Sequence, residues 1–114
     1  MGEEIKIWWV RRGVVFNDSI FNEVRFKTPQ NQYTLQIGYT QIPKDEYKIE
    51  VIGDITEDDF YYYVPFVCLL RNDVLIEYYD QQKTFEELIA SFISMWPELE
   101  EVCKQINIEN LLII

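Results

Sequence analysis

Histidine is missing altogether, and the 114 residues include only 2 cysteines and 4 glycines. Each scarcity closes a class of chemistry. Without histidine the commonest general base near neutral pH is gone, and so is the usual companion of cysteine at a zinc site. The serines (Ser19, Ser91, Ser94) stand outside any G-x-S-x-G elbow, and Cys68 and Cys103 form no C-x-x-C or Cys/His arrangement. Neither a Walker sequence nor a G-x-G-x-x-G fingerprint occurs among the 4 glycines, so no signature of a phosphate-cradling loop is present. These absences predict a protein that is not an enzyme and that needs no cofactor.

No apolar run approaches the roughly 18 to 20 residues that cross a bilayer. The opening Met1-Gly2-Glu3-Glu4 lacks the basic stretch of a signal peptide, and Lys6 stands where a myristoylation signal wants Ser or Thr. A cytosolic location is expected. There, Cys68, in an apolar run, and Cys103, on an apolar helix stripe, read as reduced core residues.

What is abundant is apolar and acidic. Hydrophobic residues make up 48% and aromatic ones 16%, a composition that folds, and the length suits a single domain over 1–114. The net charge of −10 is unevenly spread. Up to Lys48 seven basic residues face six acidic ones, a balance of +1; from Ile49 onward three face fourteen, a balance of −11. Such a surplus disfavours direct binding to nucleic acid or to an anionic membrane, because phosphate contacts need cations. It suits a basic partner.

Periodicity predicts an α+β fold: an antiparallel sheet of about five to six strands over residues 4–79, packed against two C-terminal helices at about 85–95 and 97–107. Residues 4–10 start in alternation and Arg11-Arg12-Gly13 offers a turn. Asn17-Asp18-Ser19 gives another turn, and 20–27 reads as a strand in which Ser19 could alternatively cap a helical turn. Tyr33, Leu35, Ile37 and Tyr39 share one face of the clearest strand, and Tyr47, Ile49 and Val51 suggest one more. Residues 60–70 are apolar on both faces, as in a central strand or an interface, although Pro65 points to an edge, a bulge or a break. Beyond Arg71-Asn72-Asp73 the register of 74–79 depends on loop length. Thr84-Phe85-Glu86-Glu87 matches a capping box, and Pro97 suits the first turn of the second helix. The apolar end, Leu111-Leu112-Ile113-Ile114, is expected to dock on the core or on a partner. By alternation, one of Trp8 and Trp9 should enter the core and the other face outward.

The densest cluster of carboxylates is Gly53-Asp54-Ile55-Thr56-Glu57-Asp58-Asp59. It departs from the EF-hand loop, which needs Gly at the position of Asp59 and Glu at that of Pro65. A second capping box, Thr56-x-x-Asp59, starting a short helical turn is the simpler reading, and no metal is expected. Tyrosines interleave with these acids, and rigid aromatics beside carboxylates suit a surface that anchors and steers a basic protein. The expected partner-binding set is Asp54, Glu57, Asp58, Asp59, Tyr61, Tyr63, Glu77, Tyr79, Asp80, Glu86 and Glu87.

The function expected from these features is a non-enzymatic inhibitor or antidote, of the toxin-immunity or anti-defence type. It would dock on a basic, nucleic-acid-binding surface of a protein such as a nuclease. A structural subunit that homo-oligomerises through 60–70 and the C-terminal tail is the alternative, and a small carboxylate and tyrosine enzyme or ligand-binding module is a lesser one.

Overall fold

The computed structural model describes residues 5–79, 84–97 and 99–106. It has the expected α+β architecture, a six-stranded antiparallel half-barrel followed by two helices. The elements are β1 (Lys6–Phe16), β2 (Ser19–Lys27), β3 (Gln32–Pro43), β4 (Thr56–Glu57), β5 (Tyr61–Arg71), β6 (Val74–Tyr79), α1 (Phe85–Met95) and α2 (Leu99–Ile106). Strand order is β1-β2-β3-β5-β4, and β6 also pairs with β5. The outer flank of β5 is therefore shared, with β4 along Tyr62 and Tyr63 and β6 along Val67 to Arg71. Pro65 falls in the gap between them. A residue with no N–H to give can therefore sit in an interior strand without leaving a neighbour's carbonyl unpaired.

Turn chemistry sets the register. Phe16 pairs with Ser19 across Asn17-Asp18, where Asn17 takes φ 53°. Arg71 pairs with Val74 across a two-residue turn in which Asn72 and Asp73 both have positive φ, 51° and 67°. Asn and Asp tolerate that region best, and the two-residue turn matches the twist of the strands. A bulge at Leu69 and Leu70 then brings Glu77 opposite Leu69.

The core fills the space between one sheet face and the helices. Val24 and Phe26 from β2, Leu35 and Ile37 from β3, and Val67 and Leu69 from β5 meet Phe85, Leu88, Phe92, Leu99 and Val102. Phe85, Leu88 and Phe92 form a stripe on α1, and Leu99 with Val102 one on α2, and both face the strands' alternate residues. Thr84 caps α1, its hydroxyl accepting from the Glu87 amide at 3.1 Å. The opposite sheet face carries a smaller cluster of Phe21, Phe66 and Cys68, with the Phe21 and Phe66 rings edge to face. Both rings flank Gly38, which pairs with Phe21 on one side and Phe66 on the other.

Four local expectations are corrected. Arg11-Arg12-Gly13 is no turn: β1 runs through it, and Gly13, at φ 66°, absorbs a bulge that the Asn22 side chain holds by accepting from its amide at 2.9 Å. Trp8 and Trp9 are both outward, because a second irregularity between Ile7 and Trp9 breaks the alternation. Residues 47–51 form no strand, and Tyr47 and Val51 are exposed there. Thr56 opens β4 and caps no helix; the cap-like residue is Asp58. Residues 111–114 lie outside the described residues.

Candidate functional site

The site is assembled where β3 ends and β5 begins. Pro43 pairs with Tyr61, and the Lys44 amide donates to the Phe60 carbonyl at 2.9 Å, which locks the two loop ends together. Between β4 and β5 the chain turns on Asp58. One carboxylate oxygen accepts from the amides of Phe60 (2.9 Å) and Tyr61 (2.8 Å), and the other takes the Tyr63 hydroxyl. The Tyr63 bond, followed by the two amides, holds the Asp58 carboxyl below the ordinary carboxylate range. The same bond pushes the Tyr63 hydroxyl up.

Two further acids are committed to structure. Glu57 pairs with Lys44 at 2.8 Å, and this bond is the first cause of a raised Lys44 ammonium, which also lies 5.3 Å from the centre of the Tyr62 ring. Asp54 accepts from the Phe85 amide at 2.9 Å, satisfying a donor that the first turn of α1 leaves unpaired. That bond joins the acidic loop to the helix start. Tyr39 lies beneath it, its ring edge to face with Phe85, and burial first and Asp54 second push its hydroxyl up.

What remains free are carboxylates in two neighbouring places, beside the aromatics of the β3 to β5 end and in the first turn of α1. Asp59, Glu86 and Glu87 are exposed and, among the described residues, enter no ion pair. Asp59 lines a shallow cleft of about 530 Å³ with Pro43, Lys44, Asp45, Phe60 and Tyr61. Phe60 is 74% exposed, while Tyr61 and Tyr63 are half-buried. Asp45, exposed on the same cleft, escaped the sequence reading because its place there depends on the Pro43 to Tyr61 pairing.

The structure thus brings together Asp54, Glu57, Asp58, Asp59, Tyr61 and Tyr63, joins the helix turn that carries Glu86 and Glu87 to them through the Asp54 to Phe85 bond, and sets Glu77 apart. Glu77 pairs with Leu69, about 23 Å along β5 from Tyr62 at the usual rise per residue. Tyr79 pairs with Val67, likewise away from the cleft, and Asp80 lies outside the described residues. Within 60–70, Pro65 to Leu69 are buried, Val67 and Leu69 under the helices and Phe66 and Cys68 in the cluster on the opposite sheet face.

Both thiols are free, Cys68 buried and Cys103 half-buried. Burial pushes Cys68, whose Sγ donates to Gln36 Oε1 at 3.2 Å, up to about 12, and pushes Cys103 up to about 11. Among the described residues no three side chains of the types that ligate metals converge, and no helix is long and apolar enough to cross a membrane. No protein-family model, curated protein or solved structure matches the chain.

Proposed function

We propose that this chain is a non-catalytic protein-binding module, an inhibitor or antidote whose acidic end docks on a basic, nucleic-acid-binding surface of a protein partner. The observation that carries the reading is the Asp54 bond to the Phe85 amide, which joins two acidic segments of the sequence, the 54–59 loop and the first turn of α1. Asp45 and Asp59 keep their charges free beside Phe60 and Tyr61 on the cleft, and Glu86 and Glu87 keep theirs free in the first turn of α1, tied to the same loop through Asp54. Carboxylates at the rim steer a cationic partner, and aromatics between them supply contact area at small entropic cost. The neighbouring acids that hold the loop in shape act as its scaffold, so the free ones are presented on a rigid frame.

The test is capture of partners from a native lysate by the wild type and by a triple variant, Asp59→Asn with Glu86→Gln and Glu87→Gln. A basic protein retained at low salt, released as ionic strength rises and lost with the variant supports the proposal. A partner held equally by both proteins, with an affinity indifferent to salt, refutes it.

A further inference from the structure

The sheet ends in β1, whose outer flank has no strand partner among the described residues. This edge is 11 residues long. It exposes Trp8, Trp9, Val10, Val15 and Phe16, and its charges are Lys6, Arg11 and Arg12 with no acid among them. None of the three cations enters an ion pair among the described residues. In a chain of net charge −10 the longest open edge among the described residues is therefore positive.

The edge is also prepared for contact. The Arg25 guanidinium lies 5.3 Å from the centre of the Trp9 ring and 5.9 Å from that of Trp8. It is held from below by Glu23, a buried carboxylate at 3.3 Å that also accepts from Gln36 Nε2 at 3.0 Å. Both rings thus stand on a fixed cation, which lowers the entropy lost when something packs on them. Backbone groups are available as well. Across a two-residue turn the closing pair, Phe16 with Ser19, exchanges hydrogen bonds, so the next pair, Val15 with Ile20, does not, and Val15 directs its N–H and C=O outward.

We infer that β1 is a docking strand, and that its occupant is an extended acidic segment of a protein partner, added as a further strand of the sheet. Strand addition takes affinity from main-chain bonds and specificity from alternate side chains. A second copy fits this edge poorly. Antiparallel pairing of β1 with its own symmetry mate sets Arg11 and Arg12 among their equivalents, and like charges facing across a ladder repel. Bulges and basic residues are the devices by which edges resist self-pairing, and the same cations attract carboxylates. This surface lies on the opposite edge of the sheet from β4, so its failure would leave the acidic end untouched.

The experiment uses the full chain and two labelled peptides of about nine residues, the length of an ordinary added strand. One alternates valine with glutamate and the other valine with lysine. Binding is followed by anisotropy and by the tryptophan emission of the protein. The glutamate peptide should bind about tenfold more tightly at low salt. Val15→Pro, which removes an outward N–H and leaves the β1 to β2 ladder intact, should abolish that binding while far-UV circular dichroism and Tm hold. Arg11→Glu with Arg12→Glu should reverse the preference between peptides. Equal binding of the two peptides, binding of neither, or an unchanged affinity in Val15→Pro overturns the inference. Light scattering that finds an oligomer dissolved by Val15→Pro assigns the edge to a second copy and overturns it too.

Discussion

Replacing Gly38 with alanine probes the close approach of β2 and β3. A Cβ built there would stand 2.1 Å from the Ile20 carbonyl oxygen and 2.5 Å from Phe21 Cα, both backbone atoms of the neighbouring strand. Carbon atoms need about 3.5 Å, so β2 and β3 must separate locally by about 1 Å. A ladder bond of about 2.9 Å stretched that far leaves hydrogen-bonding range. Losing about two such bonds costs roughly 2 kcal/mol. Displacing Phe21 from its edge-to-face contact with Phe66, ring centroids 6.2 Å apart, removes about 1 kcal/mol more. Alanine returns about 0.5 kcal/mol through the unfolded state, which leaves Gly38→Ala destabilised by roughly 2 to 3 kcal/mol. At about 4 °C per kcal/mol for a chain of this size, Tm should fall by about 10 °C. Urea unfolding followed by tryptophan fluorescence measures the difference directly, with m unchanged if only the native state is affected. Gly13→Ala is the control. It meets no atom within 4 Å and bears only the strain of φ 66°, about 1 kcal/mol. If Gly38→Ala proves no worse than Gly13→Ala, the close approach of β2 and β3 is not what holds the sheet in shape.

Other outcomes follow from the same geometry. Asp54→Ala should cost about 1 kcal/mol in denaturant unfolding, the usual loss for an amide deprived of its cap, with Asp54→Asn in between. Native protein at pH 8 should react slowly with a thiol reagent, since burial raises both cysteines to about 12 and about 11, and unfolding should release two thiols at once. Asp58 has a depressed folded value, so its contribution is complete above the unfolded carboxyl range, about 3.9, and disappears as pH falls through the folded value. Tyr63→Phe removes the largest cause of that depression, and a carboxyl carbon titration by NMR should show Asp58 moving up.

The fold was legible wherever pattern and cap agreed. Thr84 and the stripe from Phe85 to Phe92 mark α1 through side-chain types alone, and the alternation of Tyr33, Leu35, Ile37 and Tyr39 marks β3 because one face meets the helices. Alternation failed at Trp8 and Trp9 because a bulge inserts a residue without any local signal, and at 11–13 because a positive-φ glycine serves a bulge as readily as a turn. Tyr47, Ile49 and Val51 alternate like a strand, yet β5 gives that flank to β4 and β6, so pairing overrides propensity there. The candidate site was half legible for a related reason. Acid content is visible in the sequence, but whether a carboxylate supports the loop, as Asp58 does, or stays free, as Asp59 does, depends on amides that only the folded turn brings into range.

The imbalance of charge along the sequence becomes an imbalance across the sheet. Lys6, Arg11 and Arg12 lie on β1, while Asp59, Glu86 and Glu87 gather around β4 and the start of α1. From β1 to β4 there are four strand spacings, about 19 Å along the sheet at about 4.8 Å each. The screening length at physiological ionic strength is about 8 Å, so exposed charges on the two edges scarcely feel each other. Nor do they neutralise one another, since any reach between them would have to cross β2, β3 and β5. Each edge therefore keeps its own electrostatic preference, and a partner with a basic surface beside an acidic extended arm could engage both at once. Linking the two contacts turns the second into an intramolecular event, so the joint affinity exceeds either alone. Charge reversal at Arg11 and Arg12 should then weaken such a partner without altering how an isolated basic surface binds the acidic end.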